Sequence, residues 1–283
     1  MVYDVRELGE TPQRRIPARS TILCIAFNGL LITTIAIIIG AVCGTGKCNL
    51  KTSNDQNILV DLPEYSLQVI QQQDNRRSPQ FKAYQWLIQH PDFETMQPWR
   101  KIQVFAMATL CYEFDFDTVP GIFLWHDAHE CNWDNLQDVF TCDEETNQRL
   151  VHIRIRGTEV LGTIPPEIGL LQQLTYLNLG INRLYGTIPS QIGLLRRLDT
   201  LWVHENQLAG SIPTELGLLQ NLVSLSLRSN HLVGTIPTEM AMLTSLERLY
   251  LHTNKFEQTT TTTSSSSIPT EMCDLTSLTV WID

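Results

Sequence analysis

Between Val160 and Lys255 the chain reads VLGTIPPEIGLLQQLTYLNLGINR (160–183), LYGTIPSQIGLLRRLDTLWVHENQ (184–207), LAGSIPTELGLLQNLVSLSLRSNH (208–231) and LVGTIPTEMAMLTSLERLYLHTNK (232–255). These four windows of 24 residues align without a gap. A partial window, VHIRIRGTEV, precedes them, and an interrupted one follows from Phe256. A period in this range marks a solenoid, in which one repeat cannot bury its apolar face but a stack of repeats can. Within each window Leu-x-x-Leu-x-Leu, as at Leu174, Leu177 and Leu179, sends alternate side chains of a short strand into one core. Asn182, Asn206, Asn230 and Asn254 recur at one position, where a buried amide can bond backbone groups of adjacent coils as a ladder. Gly186, Gly210 and Gly234 allow tight turns, and the Ile-Pro pair that follows fixes an extended corner. The reading is an α/β solenoid.

Working outward, the first coil carries Thr158 where the others carry asparagine, a poorer bridge. In the fifth, eight extra residues enter within QTTTTTSSSS (258–267), which have nothing to bury and are expected to protrude. Asp283 falls where earlier coils place leucine, so the last coil is expected to fray or need a partner.

Upstream, residues 22–42 read ILCIAFNGLLITTIAIIIGAV, within a stretch (21–44) that carries no charge. A helix of that length crosses a hydrocarbon core of roughly 30 Å, and the segment is too long for a cleaved signal. Four arginines precede it, so a signal anchor is expected, with a cytoplasmic N-terminus and residues 45–283 extracellular or lumenal, at the plasma membrane. The organisation expected is a cytoplasmic tail (1–20), a single transmembrane helix (21–43), a polar stalk (44–77), a helical N-terminal cap region (78–148) and the repeats (149–283). Ser78-Pro79 should open one helix of that cap, as N-cap and first-turn proline, and a second should run from about Pro98 to Cys111.

The chain has 283 residues, 43% of them hydrophobic, with 20 Lys+Arg against 30 Asp+Glu. A net charge of −10 with no basic stripe argues against nucleic-acid binding. AVCGTGKC (41–48) misses a phosphate loop by one residue, because Cys48 stands where a hydroxyl must hold the metal. His126, His129 and Glu130 lack the further ligands a zinc site needs, so no metal or cofactor is expected. No nucleophile–base pair stands out, and the protein is not expected to be an enzyme.

The windows resemble the plant-type extracellular leucine-rich repeat, L-x-x-L-x-L-x-x-N-x-L-x-G-x-I-P, over about residues 149–257. Cys131-Asn-Trp133 followed by Cys142 is similar to that family's N-terminal cap motif, which implies a Cys131–Cys142 disulfide covering the open end of the solenoid. Cys43 and Cys48 could pair with each other or between chains, and Cys111 and Cys273 are left over. With SPQFKAYQWL (78–87) and the anchor, the chain resembles the membrane leucine-rich repeat proteins of diatoms. That resemblance implies a receptor-like protein without its own kinase, binding a protein, peptide or glycan and signalling through a co-receptor. Alternatives are an inhibitor of secreted carbohydrate-active enzymes, since polygalacturonase inhibitors share the repeat, and a structural or adhesive surface protein.

A ligand would meet the non-core strand positions, which form a concave sheet. One column runs Arg154, Asn178, Trp202, Ser226 and Tyr250. The next runs Arg156, Gly180, His204, Arg228 and His252, and a third runs His152, Tyr176, Thr200, Ser224 and Arg248. Aromatic and arginine side chains are the usual interface anchors. The candidate contacts are Arg154, Arg156, Tyr176, Trp202, His204, Arg228, Arg248, Tyr250 and His252.

Overall fold

A computed structural model of the chain describes residues 62–71, 77–116, 139–143, 149–257, 268–275 and 277–281. It divides into two units, Met1–Gly40 and Ala41–Asp283, and the first lies wholly outside the described residues. The expected anchor, Cys131 and the Thr/Ser tract lie outside them as well. Among the described residues no helix is long and apolar enough to cross a membrane.

Three helices come first: α1 (Glu64–Gln71), α2 (Pro79–Gln89) and α3 (Pro98–Glu113). Ser78 caps α2, its hydroxyl accepting from the Phe81 amide at 3.1 Å, and Pro79 sits in the first turn where no N–H is needed. Helix α3 buries every residue from Gln103 to Cys111. A helix apolar nearly all round must be covered on several sides, and α3 packs against α2, β2, β3 and the first coil. Helix α1 is a departure from the expected polar stalk. It turns Ile70 and Ser66 inward, and the buried Ser66 hydroxyl is satisfied by a partner in the first coil.

The strands are β1 (Phe140–Asp143), β2 (Arg149–Arg154), β3 (Leu161–Thr163), β4 (Tyr176–Asn178), β5 (Arg183–Tyr185) and β6 (Thr200–Trp202). There follow β7 (Ala209–Gly210), β8 (Ser224–Ser226), β9 (His231–Gly234), β10 (Arg248–Tyr250), β11 (Lys255–Phe256) and β12 (Thr279–Trp281). One seven-stranded sheet runs β1-β2-β4-β6-β8-β10-β12. Its first pair is antiparallel and the rest are parallel, as coils wound in one direction require. Strands β3 and β5, and β7, β9 and β11, pair in two smaller sheets on the return side of each coil.

Between the sheets lies a ladder of leucines. In the coil beginning at β4, Leu174, Leu177, Leu179, Leu184, Ile192 and Leu195 are fully buried. Each such side chain contributes roughly 1.5–3 kcal/mol of burial free energy. The asparagines hold the coils in step. Asn206 Nδ2 donates to the carbonyls of Leu179 (2.9 Å) and Val203 (3.1 Å), and its Oδ1 accepts from the Leu184 amide (3.0 Å). Asn182, Asn230 and Asn254 make the equivalent bonds to the coils before them. Thr158 bridges nothing itself; its amide and hydroxyl both donate to Asn182 Oδ1 at 3.2 Å. The residue before each ladder asparagine is left-handed without being glycine: Ile181, Glu205, Ser229 and Thr253, whereas Gly157 holds that place before Thr158. Such a backbone costs roughly 1–2 kcal/mol per residue, which the ladder must outweigh.

The last strand corrects the sequence register. Carrying the spacing forward from Leu246 to Leu278 would pair Trp281 with Leu249. The strand instead begins one residue early, so Val280 pairs with Leu249 and Trp281 with Tyr250. A one-residue shift exchanges the faces of a strand. Here it keeps the indole out of a column that accepts leucine.

Candidate functional site

Strand pairing sets out the concave face. His152 lies beside Tyr176, Tyr176 beside Thr200, Thr200 beside Ser224 and Ser224 beside Arg248. Arg154, Asn178, Trp202, Ser226, Tyr250 and Trp281 form the neighbouring row. Adjacent strands in these rows are about 4.8 Å apart.

Aromatic rings are linked along the face. His152 meets Tyr176 edge-on at 5.8 Å, Tyr176 meets Trp202 at 5.9 Å, and Trp202 meets His204 at 6.2 Å. The Arg154 guanidinium lies 5.3 Å from the Tyr176 ring centre, a cation–π contact. At the far end Tyr250 and Trp281 stack at 4.2 Å with only 10° between their planes. The Trp202 indole N–H donates to Ser224 Oγ at 3.0 Å, which leaves the ring faces as its remaining contact surface. Trp281 belongs to this face, although the columns set by the repeat spacing end at Tyr250. Nothing in the repeat spacing marks it, because the spacing assigns that position to the core.

Other candidates are placed differently from expectation. His204 is buried, with 6% exposure, so it is not an open contact residue. Its ring occupies the space that a side chain at Gly180 would fill: a Cβ there would sit 2.5 Å from His204 Cε1. Burial, then the Arg228 charge, pushes the His204 imidazole below its ordinary pKa; Glu205 opposes the shift and Arg156 adds to it. Arg228 is held by Glu205 at 2.6 Å. Asn178, Ser224 and Ser226 are also buried. Arg154, Arg156 and Arg248 are exposed, and Tyr176, Trp202, Tyr250 and His252 are half-buried.

Beside the first coil, a cleft of about 210 Å³ opens between α3 and β2, where the Arg149 guanidinium covers the Trp99 ring at 3.8 Å. Cys142 is disulfide-bonded, whereas neither Cys111 nor Cys273 takes part in a disulfide. Among the described residues no three His, Cys, Asp or Glu side chains converge as a metal site would require; His126, His129 and Glu130 lie outside them.

Residues 142–282 match the family described as the leucine-rich repeat region. This part of the chain is a leucine-rich repeat solenoid. Among solved structures, the repeats resemble that titled PEPR1-AtPEP1, with 29% identity and a TM-score of 0.53, over 62% of this chain and 24% of that one. This chain thus spans about a quarter of that protein. They also resemble the leucine-rich repeat ectodomain of the receptor kinase SOBIR1 from Arabidopsis thaliana, with 23% identity and a TM-score of 0.51. That match covers 64% of this chain and 90% of that one, and shows the fold alone. No curated protein matches the sequence. The leucine-rich repeat fold is consistent with ligand binding.

Proposed function

We propose that this protein is a membrane-anchored, receptor-like recognition module that binds a protein, peptide or glycan on the concave face of its repeats. The observation that carries the reading is the set of aromatic and arginine side chains on one face, linked from His152 through Tyr176 to Trp202 and again at Tyr250 and Trp281. Half-exposed tryptophan and tyrosine have no folding reason to be there, and such side chains dominate binding interfaces. The PEPR1-AtPEP1 structure, whose title names two components, supports a macromolecular partner; a co-receptor that carries the signal is part of the same proposal. The uncharged stretch at residues 22–42 supports a single-pass anchor with the repeats outside the cell. A Cys131–Cys142 disulfide, the plant-type repeat and the likeness to diatom membrane proteins belong to the same reading. Activity lies in binding, with no catalysis.

The test is a double substitution, Trp202→Ala with Tyr250→Ala, in the full chain. Arrays of surface peptides and glycans should capture the unaltered protein and lose the variant, with circular dichroism unchanged. Capture that survives both substitutions removes the concave face as the site. Protease digestion of sealed membranes tests the anchor: residues 45–283 should be cleaved from outside intact cells.

A further inference from the structure

Four successive coils each carry a 3-10 turn: Pro166–Leu170, Ser190–Leu194, Thr214–Leu218 and Thr238–Met242. The core takes the third residue of each turn and the residue just after it; in the second turn these are Ile192 and Leu195, both fully buried. The last residue of the turn lies between them and has no place inside. It is nevertheless apolar every time: Leu170, Leu194, Leu218 and Met242. Leu194 and Met242 are 45% and 43% exposed, and Leu170 and Leu218 are half-buried. The coils approach closely here, since a Cβ at Gly193 would stand 2.5 Å from the Glu215 carbonyl oxygen. The four side chains therefore form one apolar stripe across four coils. In the fifth coil the position falls to Asp274, which ends it. Exposed apolar residues gathered in one patch mark an interaction site, unlike residues scattered singly.

At the cap end the stripe runs into the cleft of about 210 Å³, because Leu170 lines both. The cleft is walled by Trp99, Ile102, Arg149 and Leu171, and its lining contains no carboxylate. The Arg149 guanidinium lies flat on the Trp99 ring at 3.8 Å, and among the described residues no hydrogen bond or ion pair holds it. Asp143, opposite Arg149 in the β1–β2 pair, makes no ion pair with it. Trp99 stands in the first turn of α3, whose end also favours negative charge. An arginine stacked on an indole keeps its planar edge for a carboxylate.

Spacing selects the shape of the occupant. Coils repeat about every 4.8 Å, so the three steps of the stripe span about 14 Å. Three turns of an α-helix rise about 16 Å. An extended chain places same-face residues about 6.7 Å apart and overshoots, at about 20 Å. The rim carries both signs, with Glu215, Glu239, Arg196 and Arg197, so charge selects the partner only at the Arg149 end. Glu215 and Glu239 also disfavour an anionic lipid surface.

We propose that this stripe and cleft dock an amphipathic helix of a partner protein. Its apolar face lies on Leu170, Leu194, Leu218 and Met242, and a carboxylate beyond its last apolar turn meets Arg149. The site is separate from the concave face and does not depend on it.

Fluorescence anisotropy of labelled helical peptides against the full chain tests the site. The first peptide repeats leucine at helical spacing over about five turns and ends in glutamate. A second ends in lysine, and a third keeps the composition but scrambles the leucines. The first should bind at least about tenfold more tightly than the other two, equivalent to about 1.4 kcal/mol. Leu194→Glu and Met242→Glu, both at exposed positions, should each weaken it about tenfold or more with the melting temperature retained. Arg149→Glu should reverse the preference between the glutamate and lysine peptides, which a purely structural arginine would not do. The Trp202/Tyr250 double variant should bind the first peptide unchanged. Equal binding of the first and scrambled peptides, indifference to both stripe substitutions, or an unreversed preference overturns the inference. Two other occupants overturn it as well. Sedimentation may show self-association that Leu194→Glu abolishes, which assigns the stripe to a second copy. Binding to phosphatidylcholine vesicles that the same substitution abolishes assigns it to lipid.

Discussion

Ser66 Oγ donates to Glu167 Oε1 at 2.7 Å, joining α1 to the first coil across 101 positions of sequence. Gln80 of α2 donates to the other carboxylate oxygen at 3.1 Å, so one buried side chain ties two helices to the solenoid. In later coils the same repeat position holds Gln191, Glu215 and Glu239, which nothing covers so completely.

Glu167→Ala should destabilise the chain by about 1–3 kcal/mol, because the buried Ser66 hydroxyl is left without its acceptor. Glu167→Gln should be milder, since the amide oxygen still accepts one bond. Burial raises the Glu167 pKa above its ordinary value of 4.5, although the Ser66 and Gln80 hydrogen bonds pull it back. A raised folded-state pKa gives stability that is complete below pH 4.5 and is lost as pH rises through the shifted value. Thermal melts of the unaltered chain and Glu167→Gln should therefore diverge with pH. The glutamate protein should gain on the glutamine variant as pH falls from 7 to 4.

The His204 side chain should contribute the opposite slope. Its depressed pKa gives stability present above 6.5 and lost as pH falls below that value toward the folded-state pKa. Gly180→Ala should push the imidazole off its seat, because the new methyl would lie 2.5 Å from the ring. NMR titration of the His204 ring protons should then show its pKa moving back toward 6.5. An unmoved titration would mean that the ring does not depend on that space.

Asn206→Ala should cost about 2–4 kcal/mol, since several buried backbone groups lose one shared partner. Chemical denaturation would measure it. The same change at Asn254, which is less buried, should cost less.

Gly193→Ala tests how closely the coils approach. A Cβ at this position would stand 2.5 Å from the Glu215 carbonyl oxygen, which is backbone and cannot swing away. The coils would have to separate locally, with a loss of about 1–3 kcal/mol in unfolding free energy. The melting temperature is the readout.

Much of the site was legible because the repeat is a ruler. Once Leu174, Leu177 and Leu179 define the inward positions, the residues between them must face the other way, and the columns of Tyr176, Trp202 and Tyr250 follow. What the ruler cannot give is depth. His204 occupies a contact position by register, but an empty neighbour at Gly180 lets its ring lie down and be covered. Arg228 holds a contact position as well, yet its charge is shared with Glu205. In the final coil the ruler itself slips by one residue, and Trp281 joins the face that spacing alone had denied it.

The sequence by itself determined the coil: its length, its inward leucines, its asparagine ladder, and with them the Ser78-capped start of α2. These depend on local period and on residues within one repeat of each other. Only the tertiary structure decided that α1 docks through Ser66, that Glu167 is buried while Glu215 is not, and that Trp281 stacks on Tyr250. Those outcomes turn on which surfaces meet, a competition between distant parts of the chain for the same buried space, and no local pattern records its result.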